Sequence, residues 1–334
     1  MIPGFAMTEL VSYNEPKNVA EAPVSETATT DPIAGVDLVV LKVPPRNQCW
    51  DVWDQFKTHK GAVAGAGVFF VIVVAVVFGP FVWRVSPAYI DFTAMNAGPS
   101  WAHPFGTDQL GRDLLARMMT GGRVAIAVGL AAMIISIFLG TLIGVLTGYF
   151  KSLDGPLMRL TDLFLSLPVL PLLLVAVMLF RDAVAKILGN DLGSFTLIVS
   201  IIGVMSWMGM ARIVRGEVLA VKQREFVMAS RSIGTPPHRI IIRHVLPNVM
   251  SPIIVSATLG IADAIIAESV LSFLGLGFPP DFPTWGRLLY DGIEYMQVSP
   301  QLVLWPGIAI SLTVLSVNYI GDGFRDALDP RLRR

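Results

Sequence analysis

Apolar and polar residues alternate along this chain in long blocks. Six apolar stretches run from about Gly61 to Trp83, Val124 to Phe150, Thr161 to Phe180, Leu192 to Ile213, Val249 to Leu274 and Gln301 to Ile320. Each is close to the roughly 20 residues a helix needs to cross the hydrocarbon of a bilayer. The pattern predicts an all-α membrane protein with six transmembrane helices over residues 61–334. Residues 1–49 are rich in Glu, Thr, Ala, Pro and Asp without a helical period, which predicts a disordered cytoplasmic tail. That tail lacks the charged start and apolar core of a cleaved signal peptide. Over residues 50–60, WDVWDQFKTHK predicts a short interfacial helix with Trp50, Trp53 and Phe56 at headgroup level.

The longest charged run separates the fourth and fifth apolar stretches, over residues 214–248. From Gly216 to Ile233, Val218, Leu219, Phe226, Ala229 and Ile233 recur at three- and four-residue steps, which predicts one amphipathic helix. Gly234 can end it with a left-handed cap, and Pro236 and Pro237 stop it from continuing. A second short helix, Arg239 to His244, leads to Leu246-Pro247-Asn248. With the loop and both termini placed in the cytoplasm, 16 Lys and Arg residues fall near the inner side and seven near the outer side, where Arg84, Arg112, Arg117, Arg123, Arg181, Lys186 and Arg287 lie. The asymmetry has the sign expected of cytoplasmic loops.

Composition agrees with a bilayer protein and removes several other classes. Hydrophobic residues make up 54% of the 334, charged residues 15%, and mean hydropathy is +0.65, too apolar for a soluble fold of this size. Formal net charge is zero, so nothing global points to nucleic acid. Cys49 stands alone and excludes an internal disulfide. No GxxxxGK[ST] phosphate loop is present, so ATP has to bind another chain. The four histidines, His59, His103, His238 and His244, show no metal-ligand spacing. No Gly-x-Ser-x-Gly elbow or paired catalytic motif occurs either, which argues against an enzyme.

Glu225, Ala229, Ser230 and Gly234, followed by Leu246-Pro247, resemble the EAA signature of membrane subunits of binding-protein-dependent ABC importers. The chain is still more similar to the C-type permease subunit of the dipeptide, oligopeptide and nickel group. Six phrases match in order: GTDQLGRD, LTGYFKSLDGPLMRLTD, REFVMASRSIG, RHVLPN, ESVLSFLGLGF and NYIGDGFRDALDPRLR. Ser230 replaces the usual second alanine, Phe324 stands where leucine is common, and Pro236-Pro237 is unusual after the loop glycine. The resemblance implies the type I ABC importer permease fold in a bacterial inner membrane. It implies a homologous second permease, two ATPase subunits holding ATP and Mg, and an outer substrate-binding protein as partners, with no cofactor in this chain. It implies uptake of short peptides, with nickel or glutathione-type solutes as alternatives. It also makes residues 214–248 the ATPase-coupling loop, with Glu225, Ala229, Ser230 and Gly234 as its coupling residues.

Ionisable residues inside a bilayer are expensive and mark function or internal pairing. Asp263, midway along the fifth stretch, and Glu268, in its outer half, are the candidates for the translocation pathway. They lie about 140° apart around a helix and cannot share a face. A peptide's amino terminus or a metal cation suits such a carboxylate; a strut between helices is the alternative. Asp162 is expected to pair with Arg159. Gly140, Gly144 and Gly148 form a stripe that admits another helix closely, and Pro168, Pro171 and Pro306 interrupt two spans. On the outer side Asp108, Arg112, Asp113, Trp285 and Arg287 are candidates for docking a substrate-delivering protein, the alternative being that Asp108, Arg112 and Asp113 cap a surface helix. A rival from another class, an ion-coupled secondary transporter using Asp263 and Glu268, predicts an inverted repeat, which the sequence does not display.

Overall fold

The structure, a computed structural model, describes residues 48–329, so nearly all of the expected N-terminal tail lies outside it. Among the described residues, secondary structure is helical apart from one isolated bridge between Thr107 and Asp113. The helices are α1 (Gln48–Thr58), α2 (Lys60–Val82), α3 (Leu114–Tyr149), α4 (Lys151–Ser166), α5 (Val169–Leu188), α6 (Asn190–Val221), α7 (Glu225–Ser232), α8 (Pro237–Ile240), α9 (Leu246–Asn248), α10 (Met250–Phe273), α11 (Trp285–Ile293) and α12 (Gln301–Leu328). A 3₁₀ turn (Phe92–Ala94) precedes α3, and a π-helical turn (Ile241–Val245) joins α8 to α9.

Five helices, α2, α3, α6, α10 and α12, are long and apolar enough to cross a bilayer; α4 and α5 meet the same test only when taken together as a bent pair. The third apolar segment is therefore not one straight span from Thr161 to Phe180. Its first residues belong to α4, and α5 leaves α4 at 91°. Pro168 is the physical cause: its ring disfavours helical backbone at Leu167, which adopts φ −81 and ψ 141. α4 is fastened across α6 by a two-bond contact of Arg215 to Asp154 (2.5 and 2.7 Å) and by Arg212 to Asp162 (2.5 Å). Asp162 thus pairs with Arg212, not with Arg159, because its side chain faces the neighbouring helix.

Close approaches fix the direction of each crossing. A Cβ added at Gly140 would stand 2.6 Å from Met210, at Gly144 2.7 Å from Val214, and at Gly148 2.7 Å from Val218. The expected glycine stripe thus receives α6 of the same chain, and α3 and α6 run in parallel. Gly260 faces Met133 and Gly129 faces Ile265, so α10 returns antiparallel to α3. Gly65 meets Ser316 and Tyr319, and Gly122 meets Val76, which places both the start of α2 and the end of α12 beside the end of α3. We call this the arm end, because α7 to α9 project there, and the opposite one the cap end. α6 is the most enclosed crossing.

Polar groups left by proline are met from within the chain. Pro80 of α2 has no N–H for the Val76 carbonyl, and Arg123 of α3 donates to Val76 O at 2.6 Å and Val77 O at 2.5 Å. α1 forms as expected over the WDVWDQF segment, and Trp50 and Trp53 are exposed. Phe56, however, is buried against Ala62, Phe324 and Ala327, its ring 5.2 Å from that of Phe324.

Candidate functional site

The arm begins where α6 ends. Continued as one helix, Val218 and Val227 would point in opposite directions, nine residues being two and a half turns. Both are fully buried in one cluster with Val221, Ile240, Val245 and Val249, so the chain has to turn. It does so at Lys222–Arg224, where Arg224 is extended (ψ 145). The helix expected from Gly216 to Ile233 is thus two helices, α6 and α7. Lys222 holds the turn: Nζ donates to the Tyr149 carbonyl at 2.5 Å and sits 5.4 Å from the Tyr149 ring centre. Arg231 of α7 lies 5.7 Å from the centre of that ring. Burial, followed by the charge of Arg231, holds the Lys222 ammonium below the usual lysine range. Tyr149, the last residue of α3, thereby ties the arm to the bundle.

The periodicity also assigned the wrong side to α7. Val227 is its buried residue, while Phe226 (43%), Met228 (52%) and Ile233 (82%) are exposed, as is Ala229. Ser230 Oγ lies 3.3 Å from His244 Nε2, connecting α7 to the π-helical turn. Glu225 occupies the first turn of α7, where the helix dipole favours an anion, and is exposed without an ion pair or hydrogen bond among the described residues. Gly234 has φ +81, and the Gly234 N–H donates to Arg231 O (3.0 Å) and Thr235 N–H to Ser230 O (3.1 Å), a left-handed cap that closes the helix. Pro236 and Pro237 then start α8, where a missing N–H costs nothing. Pro247 explains the π-helical turn. It cannot donate to Arg243 and its ring crowds that carbonyl, so the ladder widens and the Leu246 N–H reaches Ile241 O. A groove of about 520 Å³ lined by His238, Arg239, Ile242, Arg243 and Pro247 runs along this side of the arm.

At the cap end, the docking candidates turn inward. Asp108 is buried and accepts from Arg112 Nε (2.7 Å), Arg117 Nη1 (2.5 Å) and the backbone N–H groups of Leu110 and Arg112 (each 2.9 Å). Arg117 reaches on to Asp291 (3.3 Å), which also pairs with Arg287 (3.0 Å). Trp285 is buried, its Nε1 donating to Met118 O at 3.0 Å. Asp113 caps α3 through the Ala116 N–H (2.7 Å) and binds Trp83 Nε1 (3.0 Å) and His103 Nδ1 (2.8 Å). Docking therefore finds no exposed side chain at Asp108, Asp113 or Trp285. Their oxygens and rings join the segment before α3 to α11, and Arg112 and Arg287 retain only slight exposure. Gly111 (φ +72) packs so tightly on the Asp91 carbonyl that no Cβ fits. Asp113→Ala should lower stability by about 1–2 kcal/mol, the scale of a lost N-cap; thermal unfolding of the purified protein measures it.

The two carboxylates of α10 part company. Glu268 is completely buried, Oε1 accepting from Ser272 Oγ at 2.7 Å. Asp263 is exposed and forms no ion pair or hydrogen bond among the described residues. Among those residues no group of three or more His, Cys, Asp or Glu gathers. Sequence reasoning missed Tyr149, Val227 and Arg117. An arginine four residues into an apolar helix was a visible sign of internal pairing; the other two had no sequence signal.

A bundle of five long apolar helices and one bent pair, with a cross-braced cap at one end and at the other an arm that exposes Phe226, Met228 and Ile233, defines a polytopic membrane subunit. The chain belongs to the binding-protein-dependent transport system inner membrane components, whose family model matches residues 136–334, and it is a permease subunit of an ABC importer. A second model, the N-terminal TM domain of oligopeptide transport permease C, matches residues 47–99. The oligopeptide transport system permease protein OppC of Haemophilus influenzae is 37% identical over 88% of this chain and 92% of its own length. The dipeptide permease DppC of Bacillus subtilis is 39% identical over 88% and 89%, and the glutathione permease GsiD of Pectobacterium atrosepticum 36% over 85% and 91%. Among solved structures, an inward-facing form of the MetNI methionine ABC transporter shares the fold, with a TM-score of 0.51, 16% identity, and coverage of 63% of this chain and 94% of that one.

Proposed function

We propose that this chain forms, with a homologous second permease, the pathway through which short peptides are imported, and that α7 receives the ATPase. The observation that carries the coupling role is the arm itself. Its inner side is locked by Val227, Lys222, Arg231 and Tyr149, and its outer side exposes Phe226, Met228, Ala229 and Ile233 next to Glu225, which has no ion pair among the described residues. An apolar surface of this kind on an otherwise charged element suits burial by a partner. The buried core passes a push on α7 to the ends of α3, α6 and α10 as one body, which is what coupling nucleotide-driven closure to reorientation of the crossings requires. The arm end is then cytoplasmic, with both termini, and the cap faces an outer binding protein through its loops. Oligopeptides, dipeptides and glutathione, the solutes named for the relatives, share a short peptide-like backbone, which supports that substrate class.

Gly234 supplies the test. Its Cβ direction is open, so a substitution meets backbone strain and no clash; a β-branched residue at φ +81 costs at least the roughly 1–2 kcal/mol of a left-handed residue. In the complex reconstituted with its ATPase subunits and binding protein, the wild type should take up a labelled dipeptide on ATP addition. Gly234→Val should insert normally and lower uptake per ATP hydrolysed by about tenfold. Unchanged uptake per ATP would remove the coupling role, and a wild-type complex that imports no short peptide would remove the substrate class.

A further inference from the structure

The distribution of ionisable groups along the crossings singles out one residue. Nearly all of them lie within about two turns of a helix end or are matched inside this chain. Arg123 and Arg181 donate to backbone carbonyls, Arg212 and Arg215 meet Asp162 and Asp154, and Glu268 is sealed against Ser272. Asp263 is the exception. At 1.5 Å per residue it stands about 20 Å from the arm end of α10 and about 15 Å from the cap end, exposed and without a partner among the described residues. Ser256, two turns towards the arm, lies on the same face. A bare carboxylate facing hydrocarbon costs several kcal/mol, so this face has to meet either water and a passing cation or a fixed cation of the second permease.

We infer that Asp263 is the residue through which this chain meets the ammonium group of a peptide in transit. The inference rests on the peptide-import reading above. Dipeptides, oligopeptides and glutathione, the solutes named for the relatives, each carry a primary ammonium, and a carboxylate at mid-depth offers it a charge-assisted hydrogen bond as its water is stripped. One contact made by every such solute tolerates varied side chains, and it disfavours peptides whose amino terminus is blocked. Because the contact lies midway between the two ends, it is available whichever end is open.

The test uses the complete complex, with a dipeptide and its N-acetylated form whose capture by the binding protein is measured separately. Wild type should transport the captured free peptide at least about tenfold better than the captured acetylated one, the scale of a charge-assisted hydrogen bond. Asp263→Asn should lose that preference through the free peptide alone, Asp263→Glu should keep part of it, and both should assemble with the second permease. In a Cys49→Ser background, Asp263→Cys should react with a water-soluble thiol reagent and be shielded from it during turnover with the free peptide. An unchanged preference in Asp263→Asn overturns the contact while leaving peptide import standing. Failure of Asp263→Asn to assemble with the second permease overturns it too, and assigns Asp263 to a fixed cation there. Absence of peptide uptake by wild type removes both readings together.

Discussion

Gly144→Leu should remove the folded chain from the membrane fraction as a well-behaved species, although the polypeptide still inserts. A Cβ at residue 144 already stands 2.7 Å from Val214 and 2.8 Å from the Ala211 carbonyl. The second of these is backbone and cannot rotate away. Three more heavy atoms force α3 and α6 apart, and with them the cluster of Val145, Val214, Val218, Val227 and Ile253 that roots the arm. Overpacking of a closed core costs roughly 1–3 kcal/mol, and more where neither backbone can yield. Gly144→Ala, meeting the same contacts with one atom, should give a smaller loss. Size-exclusion profiles and thermal unfolding in detergent measure both, and a Leu variant that elutes and melts like wild type would contradict the parallel packing of α3 on α6.

Arg117→Ala should cost about 3–5 kcal/mol, because removing one partner of a buried pair strands the others. Asp108 would keep Arg112 and two backbone N–H groups, but Asp291 would lose its bond to α3 and remain with Arg287 alone. The segment before α3 should separate from α11 and become sensitive to protease at the cap end, while the arm end stays protected. Arg117→Met combined with Asp108→Asn and Asp291→Asn should recover much of the loss, since burial of apolar or neutral groups replaces that of charges. Limited proteolysis of the three proteins measures the difference, and a cap equally resistant in all of them would show that the ion pairs do not hold it.

The crossings were legible because a bilayer demands length and apolarity, which any 20-residue window displays. Geometry that depends on a second element was not. Pro168 marked the break, but neither the 91° between α4 and α5 nor the ion pairs that fasten α4 across α6 can be read from an apolar window. The division of the loop helix at Lys222–Arg224 left no trace in periodicity, since Val218, Phe226, Ala229 and Ile233 fit a single cylinder that their actual burial contradicts. The cap candidates show the same limit from the other side. Asp108, Asp113 and Trp285 are polar or amphipathic residues in a segment between spans, the usual mark of a contact surface. Their partners lie far along the chain, Asp291 being 174 residues from Arg117 and Met118 167 residues from Trp285. The residues proposed for coupling were picked out by order of motif, and the structure adds what motif order cannot contain: the anchoring ring of Tyr149 and the side of α7 that is left open.

The widened ladder at Ile241–Val245 takes in one residue more per turn than an α-helix does, and a single residue corresponds to about 100° of rotation. Pro247 therefore turns the chain by about a quarter circle at the foot of the arm, just before the non-helical Val249 (φ −98, ψ 3) from which α10 starts afresh.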